Sequence, residues 1–329
     1  MDKQIDDKKV VKDLKYFETY KDDMNSAMRR FLVFFILVAL ASMLVWLLEK
    51  FGLQNTALLY IGIPIVLSII TYFLDGYGER SKNIFQKSLD NMLLATIVLF
   101  SSAIVLQEGW ICVLILLPIY YFVWIIGFLA RWITHRKTLN RKLKTFSLSL
   151  PVLVLLLSLE GISPHTTFNR SEIVTHSITV SKSVGELKQN LQKPLTFTGE
   201  RNWFLKLFPL PSNVALGSLN EGDVHRLDFT YWRWFFAHKH EGSLYVKIKN
   251  VSEDHIITEI TKNTSFYSRY LDIKNTRIDF DTLADGKTKV TLHIAYERKL
   301  DPYWYFGPMQ NFAMQKAAEV ILTDIIIGG

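Results

Sequence analysis

The sequence predicts an N-terminal all-α membrane region of five helices, or four, followed by an α+β domain in which an antiparallel sheet wraps around a long C-terminal helix. Of the 329 residues, 49% are hydrophobic, and the mean hydropathy is +0.16, which favours membrane segments over an ordinary soluble chain. Long runs without charge are confined to the first half of the chain. Beyond residue 165, apolar and polar residues alternate with the period of two that is typical of strands.

Four apolar runs have the length that a helix needs to cross a bilayer, about 20 residues with a range of roughly 17–25. Aromatic residues stand near the ends of these runs, where the membrane interface favours them. A fifth run reaches this length only if it includes Glu160 at its far end, and Pro151 lies about one turn inside it. This run either crosses the bilayer or is a re-entrant or interfacial segment. The expected spans are approximately 31–48, 56–74, 91–107, 110–130 and 146–163.

The positive charge of the chain indicates its orientation. The net charge is +7, and segment 131–146 carries six Lys and Arg and no acid. With segment 1–30 in the cytoplasm, the inner segments carry 17 Lys and Arg and the outer turns carry only Lys50, as the positive-inside rule requires. If the fifth run spans, which we favour, the C-terminal domain is extracytoplasmic. A charge confined to one loop argues against a nucleic-acid partner.

The C-terminal domain is expected over 173–329, after the membrane region 31–163 and a linker at 164–172. Asp301 and Pro302 are candidates for capping the first turn of its last helix, while Gly307 and Pro308 predict that the regular part of this helix begins afresh there. The expected elements are a strand at 173–181, a helix at 183–192, an irregular stretch to 212, about six strands, and a helix from roughly 308 to 326.

Alternation places the apolar residues of two predicted strands on one face each. Asp285 and Gly286 predict a hairpin between two of the strands, and Gly242 predicts the end of another. The apolar faces consist of Leu244, Val246 and Ile248 in one strand, and of Val290, Leu292, Ile294 and Tyr296 in the other.

This order of strand, helix, curved antiparallel sheet and C-terminal helix is the helix-grip order. Ile178–Glu186 (ITVSKSVGE) resembles the opening of the START-like (SRPBCC) superfamily, which includes polyketide cyclases and the birch-pollen allergen. Tyr296–Pro308 is similar to the junction before the last helix in membrane-attached bacterial members. The resemblance covers about 173–326. It implies a bacterial cell-membrane protein with a cavity between the sheet and the last helix, suited to an apolar or amphipathic ligand.

The domain contains many aromatic residues, which favours a ligand cavity over a plain core. The alternative is that these residues fill the core or face the membrane. The candidates for lining the cavity are Trp203, Phe229, Trp232, Tyr245, Tyr267, Trp304, Tyr305 and Phe312.

Few residues are candidates for catalysis. Glu297, His293 and Asp228 lie on predicted strands whose neighbours line the expected cavity, and a carboxylate–imidazole pair can act as acid and base. Exposed strand faces carry such residues as well, so none is assigned a catalytic role.

Metal and cofactor chemistry find little support in the sequence. His238 and His240 share one face of a strand, but no third ligand is linked to them by spacing. The common nucleotide-binding, hydrolase and metalloprotease motifs are absent. We therefore expect neither a metal nor a cofactor.

The sequence favours a membrane-anchored START-like domain that binds a hydrophobic or lipid-like small molecule near the bilayer. Its expected partners are the bilayer and that ligand, and the sequence identifies no protein partner. A cyclase or hydrolase that uses the same cavity, with Glu297 or His293 as acid–base, is one alternative. A non-catalytic structural or interaction module is the other.

Overall fold

The computed structural model contains a layer of apolar helices and a C-terminal α+β domain. The N-terminal segment (except residue 28), most of the basic segment 131–146 and most of the fifth predicted span lie outside the described residues, so the expectations for them remain predictions. The described residues are 28, 31–66, 84–105, 110–135, 156–193, 203, 205–208, 211–214, 218–234 and 237–327.

The helix layer has four helices within the described ranges. Two stretches are long and apolar enough to cross a bilayer, Phe31–Lys50 and Ser88–Val105, whereas the apolar stretch Val113–Ile126 is shorter. Five spans are therefore not supported by the part of the chain that the structure describes. The second predicted span, 56–74, is described only as far as residue 66. The helices are α1 (Phe31–Lys50), α2 (57–66, with a π-helical turn at Leu58–Gly62), α3 (Ile84–Val105) and α4 (Trp110–His135).

Of the fifth predicted span, only the C-terminal end is described. Residues 156 and 157 are helical, and residues 158–161 form turns. Gly161 has a φ of +85°, a left-handed conformation that glycine adopts at little cost and that commonly ends a helix. Glu160 is buried, and its Oε1 accepts a hydrogen bond from the backbone N–H of Tyr303 at 2.7 Å. This end of the predicted span is therefore bound to the C-terminal domain.

Seven strands among the described residues form one antiparallel sheet, in the order β1-β7-β6-β5-β4-β3-β2. The predicted hairpin at Asp285 and Gly286 is confirmed, since Gly286 has a φ of +77° between β6 and β7. The hairpin end predicted at Gly242 is wrong, because Gly242 lies within β4. A Cβ there would stand 2.1 Å from the carbonyl oxygen of Thr264, so glycine permits the close backbone approach. The strands are β1 (Ser171–Val180), β2 (Pro211–Val214), β3 (Val224–Trp234), β4 (Ala237–Val251), β5 (His255–Asn263), β6 (Leu271–Thr282) and β7 (Thr288–Arg298).

The described residues of the domain include two α-helices, α5 (Val184–Asn190) and α6 (Tyr303–Val320), and a π-helical turn at Ile321–Ile327 follows α6. Ser183 caps α5, since its Oγ accepts the N–H of Glu186. The expected start of the last helix near Pro308 is wrong, because α6 begins at Tyr303 and contains Pro308. Contacts of its first turn with the helix layer, given below, hold this turn in place although proline lacks an N–H donor.

The core of the domain lies between the concave face of the sheet and α6. The predicted inward face of β7 is confirmed, and α6 packs against β1 and β7. A short helix, a curved antiparallel sheet and a long C-terminal helix over its concave face form the helix-grip architecture. The buried residues of this core include Val174, Leu187, Ile256, Val290, Leu292, Ile294, Tyr296, Met314 and Ala318.

Candidate ligand-binding cavity

A cavity of about 840 Å³ lies between the sheet, α6 and the helix layer. This volume is in the upper part of the range of small-molecule sites, and its lining is mostly apolar. Alternation along the strands explains the lining, because the residues that point to the concave face of a curved sheet are the apolar set. The strand residues that line it include Leu227, Phe229, Leu244, Val246, Ile248, Ile256, Ile260, Ile278 and Ile294.

One face of α6 forms the opposite wall of the cavity. The lining residues recur at steps of three and four, as one face of a helix requires. Two of them are alanines, Ala313 and Ala317, and their small side chains leave space between the helix and the sheet. The residues on this wall are Phe306, Met309, Gln310, Ala313, Met314, Ala317 and Val320.

The cavity extends beyond the domain into the helix layer. All four described helices of the layer contribute apolar side chains to it, and several of these are small. The contributing residues are Ala41 and Val45 from α1, Leu59 and Ile63 from α2, Leu99 and Ala103 from α3, and Val113 and Leu116 from α4.

Hydrogen bonds and ring contacts join the first turns of α6 to the helix layer. The N–H of Asp301 donates to the carbonyl of Asn55 at 2.9 Å, and the hydroxyl of Tyr305 donates to the carbonyl of Ile115 at 2.6 Å. The ring of Phe306 lies 4.7 Å from that of Tyr60. These contacts place the helix layer against the cavity end of the domain.

A buried charged cluster lies at this junction. Asp301 accepts from Arg298 at 3.0 Å and forms an ion pair with Arg170, and the side chains of Arg298 and Asp301 are 0% exposed. The guanidinium of Arg298 also lies 4.8 Å from the centre of the Tyr303 ring.

Polar residues line the cavity where the domain meets the helices. Gln310 is 4% exposed; its Nε2 donates to the carbonyl of Tyr270 at 2.9 Å, and its Oε1 has no hydrogen-bond partner within the described residues. Asn55 Nδ2 donates to the carbonyl of Arg269 at 3.2 Å, and Lys299 Nζ donates to that of Ser268 at 2.8 Å. We call this set of residues, Glu49, Gln54, Asn55, Arg269, Lys299 and Gln310, the polar band.

Two of the eight predicted cavity residues line the cavity, Phe229 and Tyr267. Their rings meet edge to face at 5.5 Å. Trp203 and Trp232 are exposed, with 71% of Trp203 accessible. Tyr245 lies on the outer face of β4, between the inward-facing neighbours Leu244 and Val246, and the cations of Arg226 and Lys262 lie near its ring.

The other three predicted residues lie on α6 outside the cavity. Trp304 contacts Phe122 of α4 at 5.7 Å. Tyr305 packs against the helix layer, and burial raises its pKa. Phe312 lies in a shallow groove on another side of α6.

The candidate acid–base residues lie on the outer face of the sheet. His293 Nδ1 is 2.8 Å from Thr175 Oγ1, and Glu297 forms an ion pair with Lys274 at 3.0 Å. Along β7 these two residues alternate with the inward-facing residues, so their side chains point to the other face of the sheet.

Asp228 lies on the outer face as well. Its carboxylate accepts from Ser243 and Arg226, each at 2.6 Å, and these bonds lower its pKa. The carboxylate–imidazole pair considered from the sequence therefore does not face the cavity. Within the described residues, no group of three or more potential metal ligands is found, and the side chain of His238 is outside them.

Sequence reasoning missed the part of the cavity that the helix layer provides. The eight cavity candidates also left out Phe208, Phe266 and Phe306, which line the cavity. The helical spacing of Met309, Ala313 and Ala317 was a usable signal for the α6 wall, whereas no sequence pattern pairs α1–α4 with the domain.

Comparison with known proteins supplies structural likenesses only. No protein-family model and no curated protein matches the chain. The matching solved structures include a START superfamily protein from Mycobacterium smegmatis (12% identity, 46% of this chain and 96% of that chain, TM-score 0.31). They also include the Zhui aromatase/cyclase from Streptomyces sp. R1128 (11%, 47% and 92%, 0.29) and a truncated norcoclaurine synthase from Thalictrum flavum (13%, 48% and 96%, 0.29). At these TM-scores the likeness assigns no function, and the helix-grip description rests on the topology above.

Proposed function

We propose that this protein is a membrane-anchored START-like protein that binds a hydrophobic or lipid-like small molecule. The single observation that carries the proposal is the apolar cavity of about 840 Å³ beneath α6. Leaving such a volume empty forfeits the dispersion contacts that a packed core would make. A ligand of similar polarity restores these contacts, which a solid interaction module would not need.

Exposed apolar side chains support the membrane anchoring. Large apolar residues cover the outer surfaces of the helix layer, a pattern that water disfavours and acyl chains accept. The exposed residues include Leu32, Phe35 and Met43 of α1, Leu93, Ile97 and Ile104 of α3, and Leu114, Phe122 and Ile125 of α4.

The position of the domain on the helices supports an extracytoplasmic location. The domain contacts Asn55, which follows α1, and Ile115, near the start of α4. Both lie at the ends of helices that the distribution of Lys and Arg assigns to the outside. The basic segment 131–146 is at the other end of α4, which has 26 residues and is about 39 Å long.

A reporter at the C-terminus tests this orientation. We expect alkaline phosphatase fused after Gly329 to be active, because this enzyme folds only in an oxidising compartment. The matched control is the same enzyme fused after Asn140 in the basic segment, which we expect to be inactive. If green fluorescent protein fused after Gly329 fluoresces and alkaline phosphatase fused there is inactive, the orientation is refuted.

Filling the cavity tests ligand binding. We expect Ala317→Trp to reduce the lipid that co-purifies with the full chain at least about tenfold, the change that ~1.4 kcal/mol of lost binding produces. The added indole occupies the space between α6 and the sheet. The measurement is lipid extraction and mass spectrometry of the purified protein, with the thermal unfolding midpoint recorded in parallel.

The control places the same side chain on the same helix outside the cavity. Gln315 is exposed, so Gln315→Trp should leave the bound lipid unchanged. Equal lipid content in wild type and both variants would mean that the lipid is not held in the cavity, and ligand binding there would be abandoned.

A further inference from the structure

We infer that the helix layer is the inner half of the binding site and the route to it, so that an acyl-chain lipid passes sideways from the bilayer into the helix-grip domain. This inference rests on the proposed function and goes beyond it, because it gives the helices a role other than anchoring. Three observations carry it: the shared lining, the two-sided helices and the polar band.

The shared lining makes one continuous apolar volume from two structural parts. Residues of all four described membrane-region helices line the same cavity as the strands of the domain. A chain of methylene groups can lie along this lining with its apolar surface removed from water, which favours binding in proportion to the area buried. The occupant that fits is therefore long and flexible, as an acyl chain is.

Individual helices face both the cavity and the surrounding bilayer. On α3, Ala103 lines the cavity and is 7% exposed, while the next residue, Ile104, is 58% exposed on the outer surface. On α1, Val45 lines the cavity and Met43 is exposed. One layer of helices thus separates the cavity from the bilayer, and small residues such as Ala41 and Ala103 form part of its cavity side.

The polar band provides a place for the head group. It lies where the domain and the helices meet, as the hydrogen bond from Asn55 to Arg269 demonstrates. Gln310 adds a buried amide oxygen that lacks a partner in the described chain, which is unfavourable unless another group donates a hydrogen bond to it. With its head at this band, a lipid extends its chain toward Ile256 and Ile278 in the domain.

A photoactivatable lipid tests the route in the full chain. The probe is phosphatidylglycerol with a diazirine at the end of one acyl chain, supplied within nanodiscs of phosphatidylethanolamine and phosphatidylglycerol. We expect it to label residues around Ile256 and Met314, which lie in the domain. With the diazirine beside the glycerol instead, labelling should move to the surroundings of Asn55 and Gln310, and the reverse order would overturn the placement of the head group.

Neighbouring substitutions on one helix separate passage from other effects. We expect Ala103→Trp to reduce domain labelling at least about tenfold, which corresponds to ~1.4 kcal/mol, and Ile104→Trp to leave it unchanged. Val45→Trp and Met43→Trp repeat the comparison on α1. Should Ala103→Trp fail to fold, as judged by its thermal unfolding, the α1 pair decides.

The remaining outcomes distinguish this inference from the proposed function. Equal domain labelling in the lining and outward-facing variants overturns the route through the helices and leaves ligand binding intact. If a diazirine-labelled decanoate added from water labels the domain and the nanodisc probe does not, the route through the helices is likewise overturned and ligand binding is kept. If neither probe labels the domain, both the inference and the proposed function fall.

Discussion

Replacing Asp301 by alanine is expected to lower the free energy of unfolding by about 3–5 kcal/mol, the usual cost of leaving a buried charge without its partner. Arg298 is 0% exposed and depends on Asp301 and on the carbonyl of Leu300. Its Nε and Nη2 have no hydrogen-bond partner within the described residues. Removing the Asp301 carboxylate therefore leaves the Arg298 cation in the interior without its counter-charge.

Denaturant unfolding of the full chain in a mild detergent measures this loss. The matched control is Glu259→Ala, which breaks a pair of similar chemistry between Glu259 and Lys249 at 2.7 Å on the sheet surface, where both side chains are nearly half exposed. Exposed pairs contribute about 1 kcal/mol or less. Similar losses in the two variants would contradict the assignment of Asp301 as the counter-charge of Arg298.

A double substitution identifies the cause of the loss. If the stranded charge destabilises the protein, Arg298→Met together with Asp301→Ala should be more stable than Asp301→Ala alone, because an apolar side chain replaces the cation. If the lost packing around Asp301 were the cause, the second substitution would lower stability further. The sign of the difference between the two variants decides.

The sequence was most informative where structure follows from local periodicity. The strand faces of Leu244, Val246 and Ile248, and of Val290 to Tyr296, are as predicted, because alternation within one strand fixes which side chains share a face. The hairpin at Gly286 follows from the same kind of local information. The helix-grip order was predictable for this reason.

The cavity residues were harder to predict because a high content of aromatic residues does not show which face of a strand or helix each residue lies on. Tyr245 was chosen as a cavity residue although it alternates with Leu244 and Val246, and its parity alone places it on the outer face. The same reasoning separates Glu297 and His293 from the inward-facing residues of β7. Applying the alternation of side chains along a strand to every candidate would have excluded Tyr245, Glu297 and His293 from the cavity.

Contacts between distant parts of the chain could not be predicted at all. Pro308 suggested that the helix begins there, yet the turn before it is helical because Tyr303 contacts Glu160, and Tyr305 and Phe306 contact residues of the helix layer. Propensity is a local preference, and these tertiary contacts override it. The contribution of α1–α4 to the cavity depends on the same long-range packing.

Phe306→Ala is expected to be the most damaging substitution at the interface between the domain and the helix layer. Phe306 is 0% exposed, packs against Tyr60 at 4.7 Å and Tyr305 at 4.9 Å, and lines the cavity. Truncating a buried phenylalanine costs about 3–5 kcal/mol through lost apolar burial and the space left behind. The free energy of unfolding of the full chain measures it.

The control is Phe312→Ala, since Phe312 lies on the same helix, is 41% exposed and contacts a different groove. We expect its cost to be well below that of Phe306→Ala. Because the space vacated by Phe306 adjoins the cavity, bound lipid should recover part of the stability of Phe306→Ala, as any ligand that binds only the folded state does. The variant should therefore lose less stability with phosphatidylglycerol present than after delipidation. Equal losses in both conditions would mean that Phe306 holds the two parts together without bordering the ligand.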